Sequence, residues 1–280
     1  PGETVTFSLG RMEPERNRYY VYRPYSDRGV ASSQQLLEVT RRIFEKMIST
    51  LDGRTVMVPL SAGLDSRLVV SALYEFGYSN VRCFSYGQLG NHEAEAGRRI
   101  AEHLGYPWTF IANSPRQQEA TFASVSCQAF VAFADTLQAI PFQQDFYAVG
   151  ELKRSGFAPE DAIFVNGQSG DYISGNHIPQ ILTKTQVKAD VEVRWGNVFE
   201  AMAYKQFDLW ASLKTEENLA RLDGLLRDEF AQIDQWFDDT NGDYSIFEIA
   251  EFRNRQSKYV VAGQRTYEWF GFDWRLPLWD

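Results

Sequence analysis

A chain of 280 residues and 32.1 kDa, 44% hydrophobic and 15% aromatic, can fill one large core or two modest ones, which excludes wholesale disorder. The net charge of −9 and pI near 5.0 have the wrong sign for a sequence-independent grip on nucleic acid. The longest apolar stretch, Ala129 to Ile140, is broken by Asp135 and Gln138 and falls short of the roughly 18 residues a membrane helix needs. Cys83 and Cys127 form no C-x-x-C and no zinc-ligand spacing, so neither a disulfide framework nor a metal finger is expected. Together these features predict a soluble, cytoplasmic protein with no membrane and no nucleic-acid partner. Pro1-Gly2 brings no initiator Met and no signal-peptide pattern, and reads as a start inside a longer protein.

No repeat of 20 to 50 residues is present, which removes solenoids and propellers. Thr4 to Tyr25, rich in Tyr, Arg and Pro, reads as an extended segment or edge hairpin. Leu36, Leu37, Val39, Ile43, Phe44, Met47 and Ile48 fall on one face of a helix over Gln35 to Ser49, ended by Asp52-Gly53. Val56 to Leu60 is a strand, followed by a small-residue turn and a helix carrying Leu68, Val69, Ala72, Leu73 and Phe76, with Gly77 as its C-cap. A strand at Val81 to Tyr86, a helix from Glu93 to Leu104 capped by Gly105, and a strand at Trp108 to Ala112 continue the alternation. After a helical stretch holding Cys127, a fourth strand is expected at Ala162 to Val165. Alternation of this kind predicts an α/β fold, a parallel sheet with helices on both faces. Further on, Leu219, Leu222, Leu225, Leu226, Phe230, Ile233 and Phe237 recur with helical period over Thr215 to Asp238, and Ser245-x-x-Glu248 reads as a capping box. The expected organisation is a linker over 1–34 and one domain over 35–280, its sheet core reaching about 180 and residues 181–280 mostly helical.

The loop after the first strand of the sheet reads Pro59-Leu60-Ser61-Ala62-Gly63-Leu64-Asp65-Ser66, with a helix directly behind it. Small residues let backbone N–H groups converge, and a helix N-terminus adds about half a positive charge, so phosphate or pyrophosphate is the natural ligand. An acidic side chain in such a cradle would repel a phosphate unless a divalent cation lay between them, so Asp65 implies Mg²⁺. Gly-Lys-Ser/Thr is absent, so this is not a Walker A loop. An ordinary tight βα turn also uses Ser, Gly and Asp; the placement between strand and helix favours the anion cradle.

Ser61 to Ser66 resembles the pyrophosphate loop of the ATP pyrophosphatases. Phe84-Ser85-Tyr86-Gly87, Glu93, and Ile100-Ala101-Glu102-His103-Leu104-Gly105 narrow the resemblance to the asparagine synthetase family. Asn166-Gly167-Gln168-Ser169-Gly170-Asp171 stands where that family has Ser-Gly-Glu-Gly-x-Asp, and Trp274-Arg275-Leu276-Pro277-Leu278-Trp279-Asp280 is similar to its Arg-x-Pro-Phe-Leu-Asp signature. The resemblance implies an adenine nucleotide alpha hydrolase-like fold and an ATP-dependent, amide-forming ligase. In it a carboxylate is activated as an acyl-adenylate and then amidated with glutamine-derived ammonia, as in asparagine biosynthesis. Carried over residue by residue, it implies ATP binding at Pro59, Leu60, Ser61, Ala62, Gly63, Leu64, Asp65, Ser66, Tyr86, Gly87, Asn166 and Gly167. It implies Mg²⁺ on Asp65 and Asp171 and catalytic roles for Gln168 and Asp171; Arg275, a cation beside the expected cleft, reads as a catalytic group meeting the adenylate or a substrate carboxylate or, equally, as half of a structural ion pair. Independently, two carboxylates at the carboxyl ends of neighbouring parallel strands would meet where open α/β sheets bind ligands.

The chain also departs from the family. Gln168 replaces a glutamate and Tyr172 a second acid, and a neutral amide neither neutralises an ammonium nor takes up a proton. Free aspartate is therefore in question as the acceptor, and a sugar uronic acid, a peptide carboxylate or a small metabolite stays open. So does a nucleotide-binding module without turnover; a tRNA-modifying pyrophosphatase is disfavoured by charge and by the cysteine count. The family's glutaminase uses an N-terminal cysteine, so that domain is expected outside this chain, and the family's lysine is expected after Asp280. Homodimerisation is left open. His92 and His103 read as helix-end surface residues, and His177 as undecided. Trp269, Phe270, Phe272, Trp274 and Trp279 read as core aromatics.

Overall fold

Short, wholly apolar strands flanked by glycine and polar turns have to be buried on both faces, and here they assemble the centre of a parallel sheet. In the computed structural model, which describes residues 2–24, 31–183, 190–232 and 242–280, β1 (Glu3–Thr6) and β2 (Glu15–Arg18) form an antiparallel pair in register Glu3 to Arg18. Then come α1 (Ser33–Ile48), β3 (Val56–Pro59), α2 (Leu64–Glu75), β4 (Val81–Gly87), α3 (His92–Leu104) and β5 (Trp108–Ala112). They are followed by α4 (Pro115–Phe122), α5 (Val125–Ala134), α6 (Phe146–Arg154), β6 (Ile163–Val165), α7 (Gly170–Ile173) and α8 (Gln180–Thr183). Last are α9 (Val191–Phe207), α10 (Glu216–Gln232), α11 (Asp243–Ala250), a π-helical stretch over Glu251–Val260, α12 (Arg265–Trp269) and β7 (Asp273–Arg275).

The five strands order as β5-β4-β3-β6-β7, every pairing parallel, with β3 at the centre. This is the expected α/β class with a mostly helical C-terminal part, except that residues 273–275 return to the sheet as an edge strand beside β6. Two compact units emerge, one of Pro1–Val30 with His177–Ser257 and one of Ala31–Asn176 with Lys258–Asp280.

In the sheet unit, local chemistry sets the helix ends. Ser32 and Gln35 make a reciprocal capping box at the start of α1 (3.2 and 2.8 Å), and Gly105 closes α3 in the left-handed conformation. On α1, Phe44 and Met47 carry the burial while Leu36, Leu37 and Val39 stay exposed. On the other face of the sheet Met57, Phe84, Phe164, Tyr267 and Phe272 form a second core, with the Phe164 ring stacked on Tyr267 at 4.5 Å. Trp269, Phe270 and Trp274 pack around these cores and Phe272 is buried within one. Cys83 and Cys127 are both buried and unbridged, and burial pushes the Cys83 thiol up to about 12, too high for a nucleophile at neutral pH.

In the helical unit, one expectation is corrected. α11 begins at Asp243 with Gly242 as its N-cap, so Ser245 and Glu248 lie inside the helix and do not cap it. Both are buried and committed elsewhere: Ser245 donates to the Pro24 carbonyl (3.2 Å), and Glu248 accepts from the Tyr22 hydroxyl (3.1 Å). The segment around Leu219 to Phe230 is helical in α10, whereas Ile233, Phe237 and, at the N-terminal end, Tyr25 lie outside the described residues. Among the described residues no helix is long and apolar enough to cross a membrane.

Truncation of Phe164 removes the ring at the centre of the second core. Phe164→Ala is expected to lower stability by about 3–5 kcal/mol, read from urea midpoints; a loss below about 1 kcal/mol would show that the sheet does not depend on this packing.

Candidate active site

Where β3 ends at Pro59, the chain crosses Leu60 to Gly63 and enters α2 at Leu64. The root of this loop is pinned to the neighbouring strand: the Leu60 N–H donates to the Phe84 carbonyl (2.8 Å), and the Leu60 carbonyl accepts from the Ser85 hydroxyl (2.6 Å). Gly63 is the N-cap in extended conformation and offers no side-chain acceptor to the first amides of α2. The first amides of α2 are therefore left without a side-chain cap, beside the first-turn carboxylate of Asp65. The Ser66 hydroxyl lies 3.3 Å from that of Ser61 and accepts the Ser61 N–H at 3.2 Å, while the Ser61 hydroxyl accepts the Gly63 N–H at 3.1 Å. Arg67 donates to the Ala62 carbonyl at 3.0 Å.

A second loop, Asn166 to Gly170, leaves the adjacent strand β6 and presses directly on the first. A Cβ at Gly167 would fall 2.5 Å from the Asp65 carbonyl carbon and 2.7 Å from the Ser66 nitrogen; one at Gly170 would fall 2.3 Å from Asp65 Cγ. Only glycine permits this approach. Ser169 turns the chain at φ +75° between them, and the Asp171 N–H reaches the Asp65 carboxylate. Burial, with the charge of Asp171 second, pushes the Asp65 carboxyl above its ordinary value, and the Asp171 N–H opposes this. The structure thus brings Ser61, Gly63, Asp65, Ser66, Gly167, Gly170 and Asp171 into one place at the carboxyl ends of β3 and β6.

Tyr86 and Gly87 end β4. The Tyr86 hydroxyl donates to Asp145, a buried carboxylate that also accepts from the Tyr267 hydroxyl at 2.8 Å. Burial raises Asp145 despite these two donors, and burial together with the adjacent carboxylate raises both tyrosines. Asn166 donates to Gln264 (2.9 Å) and to the Tyr267 oxygen (3.4 Å), and Gln264 donates to Gln168 Oε1 (2.5 Å). Asp145, Gln264 and Tyr267 are absent from the sequence-based site. Asp145 precedes an apolar helix and reads as its N-cap, yet its side chain makes no cap hydrogen bond; no local signal separates the two roles.

Arg275, at the end of edge strand β7, places its guanidinium against the Thr50 hydroxyl (3.0 Å) and the Trp274 carbonyl (2.8 Å), on the α1 side of the sheet. His177 belongs to the helical unit, where its Nε2 lies 2.5 Å from the Glu248 carboxylate. His92 and His103 sit exposed in the first and last turns of α3.

The asparagine synthase family model matches residues 47–235, more than half of the chain. The chain belongs to the asparagine synthase family. As a member of it, the protein is an ATP-dependent ligase of the PP-loop type. No curated protein matches the chain. Among solved structures, an NH3-dependent NAD synthetase from Campylobacter jejuni, in complex with nitrate, is similar at 14% identity with a TM-score of 0.35, over 84% of this chain and 97% of that one.

The raised pKa of Asp145 gives a signed expectation. Its folded value lies above the roughly 3.9 of an unfolded aspartate, so the native state holds the proton longer and stability falls as pH climbs from about 4 to the raised value. Asp145→Asn removes this slope. Unfolding midpoints measured from about pH 4 to pH 8 should shift steadily in favour of the variant as pH rises; a wild type that instead gains on the variant would contradict the raised value.

Proposed function

We propose that the chain catalyses the synthetase half-reactions of an amide-forming ligase: activation of a carboxylate as an acyl-adenylate, then amidation. The reading is carried by one observation, the docking of the Gly167–Gly170 loop on Asp65, which sets two carboxylates beside the uncapped start of α2. An oxygen of the acceptor carboxylate attacks the α-phosphorus of ATP and the bond to the bridging β-oxygen breaks. Pyrophosphate leaves toward Ser61, Gly63 and Ser66, where hydroxyls and helix amides can exchange their internal bonds for phosphate oxygens. Ammonia nitrogen then attacks the acyl carbon, AMP departs with the acyl–oxygen bonding pair, and one proton passes to solvent. Positioning and charge neutralisation supply most of the acceleration.

The donor set suits Mg²⁺. Asp65 and Asp171 are two carboxylates, and among the described residues no group of three or more His, Cys, Asp or Glu side chains could cage a metal. Magnesium takes one or two carboxylates and completes its shell with phosphate oxygens and water. Bound there, it would offset the phosphate charge that Asp65 and Asp171 alone would repel. ATP-binding roles for Pro59, Leu60, Ala62, Leu64, Tyr86, Gly87 and Asn166 belong to the same reading and are carried by the family resemblance of their motifs. Glutamine-derived ammonia is proposed to come from a glutaminase domain outside this chain.

Gln168 favours a second reading of the acceptor. An uncharged amide stands where an acid would meet the ammonium group of aspartate, which supports a carboxylate other than aspartate within the same chemistry.

Asp65→Asn keeps an acceptor for the Asp171 N–H and loses the anionic metal ligand. It is expected to leave the thermal melt within a few degrees of wild type and to lower acceptor-dependent pyrophosphate release at saturating Mg²⁺ by about 100-fold or more. Unchanged release would refute the metal assignment; Mg²⁺-dependent ATP binding without AMP formation in the full-length wild type, with ammonia and a carboxylate panel, would favour a module without turnover.

A further inference from the structure

The side chain of Gln168 is held by a network in which each amide has only one self-consistent orientation. The Gln168 backbone N–H can only donate, and it donates to Asn166 Oδ1 at 3.1 Å. Asn166 must therefore present its NH2 to Gln264 Oε1 (2.9 Å) and to the Tyr267 oxygen (3.4 Å), whose own proton is spent on Asp145 (2.8 Å). With Gln264 Oε1 occupied, Gln264 Nε2 faces the Val260 carbonyl (3.3 Å), which can only accept, and Gln168 Oε1 (2.5 Å). Asn166, Gln264 and Tyr267 are each at most 3% exposed, so turning any one of them would strand a buried donor or acceptor. Gln168 is only half-buried, and no partner for its Nε2 is found among the described residues.

We propose that this relay, anchored on Asp145, makes Gln168 the acceptor-discriminating residue of the ligase site: its Oε1 is locked inward and its Nε2–H2 is turned toward the acceptor. The group of the acceptor that meets it is an oxygen, as in a hydroxyl, carbonyl or carboxylate, and not an ammonium, which would place N–H against N–H. Asp145 and Tyr267 are positioning residues that act through Asn166 and Gln264. The acceptor assignment rests on the ligase reading; the orientation of the relay does not.

Succinate and L-aspartate test it, because they differ only by the ammonium group. In the full-length protein with ATP and Mg²⁺, kcat/KM for pyrophosphate release should favour succinate by about tenfold or more, the factor expected when a charged or polar group loses its partner. Gln168→Glu keeps the bond from Gln264 and replaces the outward N–H2 with an anionic oxygen, so it should reverse the preference. Tyr267→Phe should raise KM for succinate about threefold to tenfold with KM for ATP unchanged, a split that general loosening of the fold would not produce. Side-chain amide hydrogen exchange reads the orientation without substrate: the Asn166 and Gln264 NH2 protons should be slow and those of Gln168 fast. Preference of the wild type for aspartate, a ratio indifferent to Gln168→Glu, or protected Gln168 protons with fast Gln264 protons would overturn the proposal. Release with neither acid would overturn the acceptor assignment, and ATP–Mg²⁺ titration would then locate the failure: retained affinity confines it to the acceptor, lost affinity extends it to the ligase reading.

Discussion

The Gly167 backbone presses on the backbone of Asp65 and Ser66, Gly170 presses on the Asp65 side chain, and the proposed chemistry depends on that contact. The two loops issue from adjacent parallel strands, so their roots are held at the inter-strand spacing of roughly 4.8 Å. A Cβ at Gly167 or Gly170 would clash with Asp65 and force the loops apart. With glycine at both positions the Asp171 N–H reaches the Asp65 carboxylate, and the two acids lie close together. Burial first, and the charge of Asp171 second, raise the Asp65 carboxyl.

Around this contact the sheet unit spends its buried polar groups on orientation. Ser85 ties the loop after β3 to β4 and is itself held by the Trp108 indole N–H at 3.1 Å. Asp145 gathers two tyrosine hydroxyls from distant parts of the sequence, one on β4 and one on α12. A buried carboxylate satisfied only by neutral donors costs stability relative to an apolar core. Its presence here is explained by the geometry it imposes on the loop after β6. A catalytic constellation works only when its supporting shell is as well fixed as its reactive groups.

Much of the sheet unit was legible in the sequence because its signals are local. Apolar runs at Val56, Val81, Trp108 and Ile163, each next to glycine or polar turns, give strands; Leu64 to Glu75 and His92 to Leu104 carry helical periodicity and end signals. The small-residue loop from Ser61 to Ser66 announces itself by standing between a strand and a helix. Ser245-x-x-Glu248 misled because a capping pattern is a statement about two side chains reaching nearby amides, whereas tertiary partners at Pro24 and Tyr22 claimed both of them.

Sequence alone therefore determined the alternation of strands and helices from Val56 to Val165, because each element follows from contacts within about ten residues, and its motifs from Ser61 to Asp280 carried the family likeness. Tertiary structure decided what those contacts cannot encode. Asp145 carries the same local signature as an N-cap; only the fold places Tyr86 and Tyr267 around it. Gln168 reads as the bare loss of an acid; only the network through Gln264 and Asn166 gives its amide a direction. Residues 273–275 look too short to be a strand until the edge of β6 supplies their hydrogen-bonding partners. In each case the deciding partner lies about 60 to 120 residues away along the chain, and a single sequence holds no term that couples such positions until the sheet has brought them together.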